Sequence, residues 1–303
     1  MPVVESEGAV LAHSIRIPEG SLKKGRILSR EDVSTLRTAG IEKIVGARLD
    51  PGDVPEDLGA TQIAKAVGGE GVSLNAAFTG RCNLYADSPG VVVVNRGSID
   101  QINLLDESLT IATLPHCDVV TPKQMVATVK VIPFSAPRQV IKAAKKLADN
   151  ASYVIKVAPF TAKSVGLILT RLPGTKQSVL ANTIKTVRAR VEAVRSVLKT
   201  SEILDHDETA IEAAIKRMYS GGCELILISG ASAIVDRRDV VPLGLESAGG
   251  TIDHFGMPVD PGNLLLLGHL GDGDSRVPVL GLPGCARSPK LNGFDWVLER
   301  LTA

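Results

Sequence analysis

Beginning near Lys163, short apolar runs alternate with helix-like stretches, and this rhythm constrains the fold more than any other feature of the sequence. Strand runs at 165–170, 202–204, 223–229, 264–267 and 277–280 are interleaved with helical spacing at 178–198, 208–219 and 238–248, and a last helix is expected from Ser288. Alternation of this kind builds a mainly parallel sheet with helices on both faces, because a parallel neighbour is reached only by a crossover. The expected class is α/β: a three-layer α/β/α domain over residues 161–303, preceded by a mixed α+β region over 1–160. Ligands of such sheets sit outside the carboxyl ends of the strands. Chemistry is therefore sought in the loops after Thr170, Leu204, Ser229, Leu267 and Leu280.

The clearest join is residues 277–288, VPVLGLPGCARS. Val277, Val279 and Leu280 suit a buried strand, and Gly281-Leu282-Pro283-Gly284 ends it, since two glycines and a proline break the ladder. Leu291, Phe294, Val297, Leu298 and Leu301 then recur at helical spacing. Strand, glycine turn and helix together aim backbone N–H groups and a helix N-terminus at one point, which suits an anion. Cys285, Ala286 and Ser288 line this turn, and Arg287 and Lys290 add positive charge. The same residues also make an ordinary tight turn.

After Ser229, Gly230, Ala231 and Ser232 let a ligand approach the backbone, and Ser232 offers a hydroxyl. Asp236 and Asp239 suit Mg²⁺, which takes one or two carboxylates with phosphate oxygens and waters; Asp239 equally suits a helix cap. Ser232 does not sit in a G-x-S-x-G elbow, because Ile234 stands in the second glycine's place. After Leu204 come Asp205, His206, Asp207 and Glu208, which read either as a metal-binding group or as a helix start, with Asp205 better placed than His206. After Thr170, Arg171 and Lys176 offer cations to phosphate, without the spacing of a P-loop. Pro261, Gly262 and Asn263 turn the chain into the run at 264–267, and His254 reads as a core or rim histidine.

In the first half, Ser29 with Asp32 forms a capping-box pattern for a helix ending at Gly40, and a strand is expected at 41–49. A helix over 55–67 is stopped by Gly68-Gly69. Thr121-Pro122 with Gln124 reads as another helix start, and 137–150 as a helix with Val140, Ile141, Ala144 and Leu147 on one face. Residues 77–81, Ala-Phe-Thr-Gly-Arg, read as a functional segment or a surface turn.

Composition excludes several classes. With 34 basic and 33 acidic residues no global field recruits nucleic acid or a membrane, and 3% aromatic residues leave little for base stacking. The four cysteines lack C-x-x-C spacing and fit reduced thiols. Neither a membrane-spanning run nor a basic-then-apolar leader is present, so a soluble cytoplasmic protein is expected.

Three segments, SGASAIVDRRD, FGMPVDPGNLLLLG and VLGLPGCARSP, resemble in order and spacing the signature regions of the molybdopterin-binding family, the MogA-, MoeA- and gephyrin-like proteins of molybdenum-cofactor biosynthesis. The resemblance covers about 165–301. More weakly, the whole chain resembles the molybdopterin-binding module found upstream of a cytidylyltransferase-like domain. It implies a MogA-like domain that holds the phosphate and pterin of molybdopterin, with Gly230, Ala231, Ser232 and the turn 281–288 as contacts. It also implies acids at Asp236 or Asp239 and at Asp205 or Asp207, used by relatives with Mg²⁺ and ATP or another nucleotide. Expected partners are the pterin itself, a nucleotidyltransferase or other cofactor-biosynthesis proteins, and further copies in a homo-oligomer. Two departures stand out. Thr170-Arg171-Leu172-Pro173 replaces the Thr-Gly-Asp-Glu loop of the gephyrin-E-like relatives, and Ala231 stands where the family has glycine. Both favour binding over adenylyl transfer or molybdate insertion; a non-catalytic assembly role is the third expectation.

Overall fold

The computed structural model describes every residue except Pro258, Asp260, Pro261 and Gly262, with Asp274 described by its backbone alone. The chain divides into two compact units, Met1–Ala158 and Pro159–Ala303.

The first unit holds two apolar clusters. Val3, Leu11, Leu22, Leu28, Leu36 and Ile44 form the smaller, beneath the helix Arg30–Thr38. That helix starts as its sequence requires: Ser29 accepts from the Asp32 amide while the Asp32 carboxylate accepts from the Ser29 amide. The region 41–49 is mostly irregular, with only Gly46–Ala47 as a strand. The larger cluster lies under the antiparallel sheet Val72–Leu74, Arg81–Ala86, Met125–Val131 and Leu109–Thr113. Helices Glu56–Val67 and Arg138–Asp149 bury Ile63, Val67, Val140, Ile141 and Ala144 in it. The helix expected after Thr121-Pro122 is absent. Gln124 does reach back to the Thr121 amide, but Lys123 turns the backbone left-handed (φ 66°) and the chain enters the strand Met125–Val131.

In the second unit we label the strands β1 (Ser164–Arg171), β2 (Val197–Asp205), β3 (Leu225–Ser229), β4 (Thr251–Phe255), β5 (Leu266–Leu270) and β6 (Val277–Gly281). The helices are α1 (Gln177–Ala193), α2 (Glu208–Ser220), α3 (Val240–Ser247) and α4 (Gly293–Thr302). One six-stranded sheet runs in the order β2-β1-β3-β6-β5-β4. β2, β1, β3 and β6 are parallel; β5 is antiparallel to both neighbours. β1 and β3 are buried on both faces, which explains their unbroken apolar sequences. On one face Ile168, Ile226, Ile228 and Val279 pack with Ile211, Ile215 and Met218 of α2 and Val241 and Leu245 of α3. Leu180, Val187 and Val191 of α1 and Phe294 and Leu298 of α4 are buried as well, and α1 and α4 are joined by Arg190 and Asp295. This is the expected α/β class with a mainly parallel sheet.

Three boundaries differ from expectation. α1 stops at Ala193, because Arg195 turns left-handed (φ 62°) and Val197 and Leu198, expected in the helix, open β2. α4 begins at Gly293, not near Ser288; Gly284–Arg287 is a 3₁₀ turn, and Leu291 is exposed. The loop after Leu267 is not at the ligand edge, since residues 264–267 lead into an antiparallel strand. Only a short turn with the 3₁₀ segment Gly273–Ser275 joins β5 to β6, too little chain for a parallel crossover. Reversal instead puts the start of β5, and Asn263 before it, at the edge where β1, β3 and β6 end.

Candidate functional site

Thr170, at the end of β1, is buried, and its hydroxyl sits at the centre of this edge. Its Oγ1 accepts the Ala231 amide at 2.7 Å and lies 2.8 Å from His206 Nδ1. His206 Nε2 in turn lies 3.1 Å from Ser232 Oγ. Three loops, after β1, β2 and β3, are thus tied into one chain of polar contacts. The His206 amide donates to the Arg171 carbonyl at 3.0 Å, which holds the imidazole against β1. The fourth loop joins through Arg287, whose guanidinium donates to the Gly230 carbonyl.

Two hollows flank this chain. A cleft of about 500 Å³ is lined by Arg171, Leu172, Pro173, Thr175, Asp205 and His206. A smaller one of about 110 Å³ is bordered by Thr170, Thr175, Thr183, Ser229, Ala231 and Arg287, with an apolar floor from Leu169, Val179 and Leu180. Hydroxyls and one cation over an apolar floor suit a ligand with an anionic end and an apolar body. Arg171 pairs with Asp205 at 3.0 Å, but both are largely exposed, so the pair is weak and the guanidinium can turn to an anion at little cost. Lys176 is exposed at the start of α1, which has no side-chain cap.

The turn after β6 is built differently from the expected anion cradle. Its carbonyls point inward: the buried Arg190 donates to Ala286, Ser288 and Lys290 carbonyls at 3.0, 2.6 and 2.9 Å. α4 offers no open N-terminus, since Asn292 and Asp295 close it with a capping box. Gly281 is required by packing, as a Cβ there would stand 2.8 Å from Ile234 Cδ1 and 3.0 Å from Leu266 Cβ. Pro283 caps the 3₁₀ turn, and a Cβ at Gly284 would meet nothing within 4 Å. Asn263 is buried, and its amide reaches Cys285 Sγ at 3.8 Å. Pro261 and Gly262 lie outside the described residues.

The acids are mostly occupied locally. Asp207 caps α2 through the Ala210 amide at 2.9 Å. Asp239 caps α3, accepting from Val240 at 2.7 Å and Val235 at 3.1 Å. Asp236 is exposed and accepts the Arg238 amide at 2.6 Å. Among the described residues no group of three or more His, Cys, Asp or Glu side chains is arranged to hold a metal ion. Asp205 pairs with Arg171, and Asp207, Asp236 and Asp239 are each engaged within their own loop or helix cap. His206, not the better-placed Asp205, joins the polar contacts at this edge, and Arg190 carries no local sequence signal because its partners lie about 100 residues on; His254 lies on β4.

A family model described as "Domain of unknown function (DUF8806)" matches residues 1–48. No curated protein matches the chain. Among solved structures, the tungsten cofactor synthesizing protein MoaB from Pyrococcus furiosus is similar at 15% identity and a TM-score of 0.33, over 48% of this chain and 92% of that one. Among the described residues no helix is long and apolar enough to cross a membrane.

Proposed function

We propose that the second unit binds molybdopterin, or its molybdenum-loaded form, in molybdenum-cofactor biosynthesis. The sequence resemblance of the three signature segments supplies the ligand class. The observation that carries the reading is Arg287 reaching the Gly230 carbonyl, which joins the third segment to the first across β3 and β6. Arg287, Arg171 and Lys176 supply cations at this edge, and Thr170, Thr175 and Ser232 supply hydroxyls. Charge-assisted hydrogen bonds from such groups to a phosphate contribute roughly 1.5–3 kcal/mol each. The pterin, when bound, would supply the dithiolene that carries the metal; this chain's residues hold and orient its phosphate. Binding is favoured over adenylyl transfer because the acids that a metal would need are helix caps or loop acceptors. Delivery to a nucleotidyltransferase and assembly into a homo-oligomer belong to the same proposal. The test is pterin fluorescence in protein isolated gently from cells that make the cofactor. A stoichiometric signal, lowered in Arg287→Ala, supports the reading; no signal, with no thermal shift by added molybdopterin, removes it.

A further inference from the structure

We propose that Ser232 is an activated nucleophile for acyl transfer, with His206 as its general base and Thr170 as the residue that orients the base. The proposal rests on geometry and is independent of the pterin reading, because it needs only the contacts Ser232 Oγ–His206 Nε2 at 3.1 Å and His206 Nδ1–Thr170 Oγ1 at 2.8 Å. Nucleophile, base and orienter within hydrogen-bond reach define such an array wherever it occurs, whatever the local motif. Thr170 is held by the fold: it is buried at the end of β1 and accepts the Ala231 amide at 2.7 Å. The array works in the tautomer whose Nδ1–H donates to Thr170, because Nε2 then carries the lone pair that accepts the serine proton. The serine is exposed, so a substrate can reach it.

The cleft beside His206 selects the substrate class. Leu172 and Pro173 give it apolar walls and Arg171 a cation. A neutral carbonyl carbon is the suitable electrophile, since an alkoxide forming against a phosphate anion would be repelled. The substrate class is therefore a small carboxylic ester with an anionic substituent near Arg171. Ser232 Oγ bonds to the carbonyl carbon as its proton passes to His206 Nε2. The tetrahedral oxyanion collapses, the bond to the leaving alcohol breaks, and His206 returns the proton to that alcohol. Water then attacks the acyl-serine, giving a proton to His206; the bond to Ser232 Oγ breaks as His206 returns that proton to it, and the carboxylic acid leaves and ionises in solvent.

The test uses the whole chain with diisopropyl fluorophosphate, read by intact mass and peptide mapping, and with p-nitrophenyl acetate hydrolysis. One adduct per chain at Ser232 is expected. Ser232→Ala abolishes it, and His206→Gln slows it about 100-fold. Thr170→Val slows it while Thr170→Ser restores it, a pair that separates orientation of the base from simple folding. No adduct on folded wild-type protein, an adduct that survives Ser232→Ala, or an unchanged rate in His206→Gln overturns the proposal. Labelling of the wild-type chain and pterin carried by the wild-type chain are separate measurements, so the two readings fail separately.

Discussion

Arg190 Nε meets Asp295 Oδ1 at 2.5 Å with both side chains almost wholly out of solvent. The other guanidinium nitrogens hold the carbonyls of Ala286, Ser288 and Lys290, so one side chain of α1 shapes the turn after β6 and fixes α4 beside it. Arg190→Met leaves Asp295 buried without its cation and should cost about 3–5 kcal/mol in urea unfolding. The double variant with Asp295→Leu should cost much less than the two single changes summed, because the unpaired charge goes with it.

Arg287 works at the surface of the same turn, so its loss should weaken ligand without unfolding the protein. Arg287→Ala is expected to reduce affinity for a phosphorylated pterin by roughly tenfold to a hundredfold, measured by calorimetry, with a Tm close to wild type.

Gly244 lies within α3, where alanine would ordinarily stabilise a helix by about 1 kcal/mol. Here a Cβ would stand 2.9 Å from Ile211 Cβ and 3.2 Å from the Glu208 carbonyl, so α2 would have to move. Overpacking of that kind costs about 1–3 kcal/mol and outweighs the propensity gain. Gly244→Ala should therefore lower the unfolding midpoint, reversing the usual sign.

Asp32 links stability to pH. Burial pushes its carboxyl up, but hydrogen bonds from Arg26 and Ser29 and the charge of Arg26 more than offset that, leaving it below the usual carboxylate range. A depressed folded value means that its contribution is present above the unfolded value of about 3.9 and is lost as pH falls through the folded one. The stability gap between wild type and Asp32→Asn should be open at pH 6 and close progressively below about pH 4, followed by chemical unfolding at each pH.

Local signals in this sequence are decisive only where no longer-range pairing competes with them. Ser29 and Asp32 make their capping box because a helix start is settled within four residues. Thr121 and Gln124 make a similar hydrogen bond at 3.0 Å without any helix, because strand pairing of residues 125–131 with two neighbours takes the chain first. In the second unit the loops after Thr170 and Ser229 share one edge, as two parallel neighbours in the sheet require. The chain after Leu267 runs away from that edge, because strand direction depends on the connection and leaves no mark on the strand's own residues.

By itself the sequence determined the βα rhythm, the buried parallel strands, the glycine turn after residue 280 and the caps, all of which are set by side-chain period and by contacts a few residues apart. Only the tertiary structure decided that Ser232 meets a histidine 26 residues away, that this histidine leans on a threonine 36 residues away, and that Arg190 binds carbonyls 96 to 100 residues on. Such contacts arise where separate crossovers return the chain to one sheet edge, and no local preference of the residues that meet there foretells them.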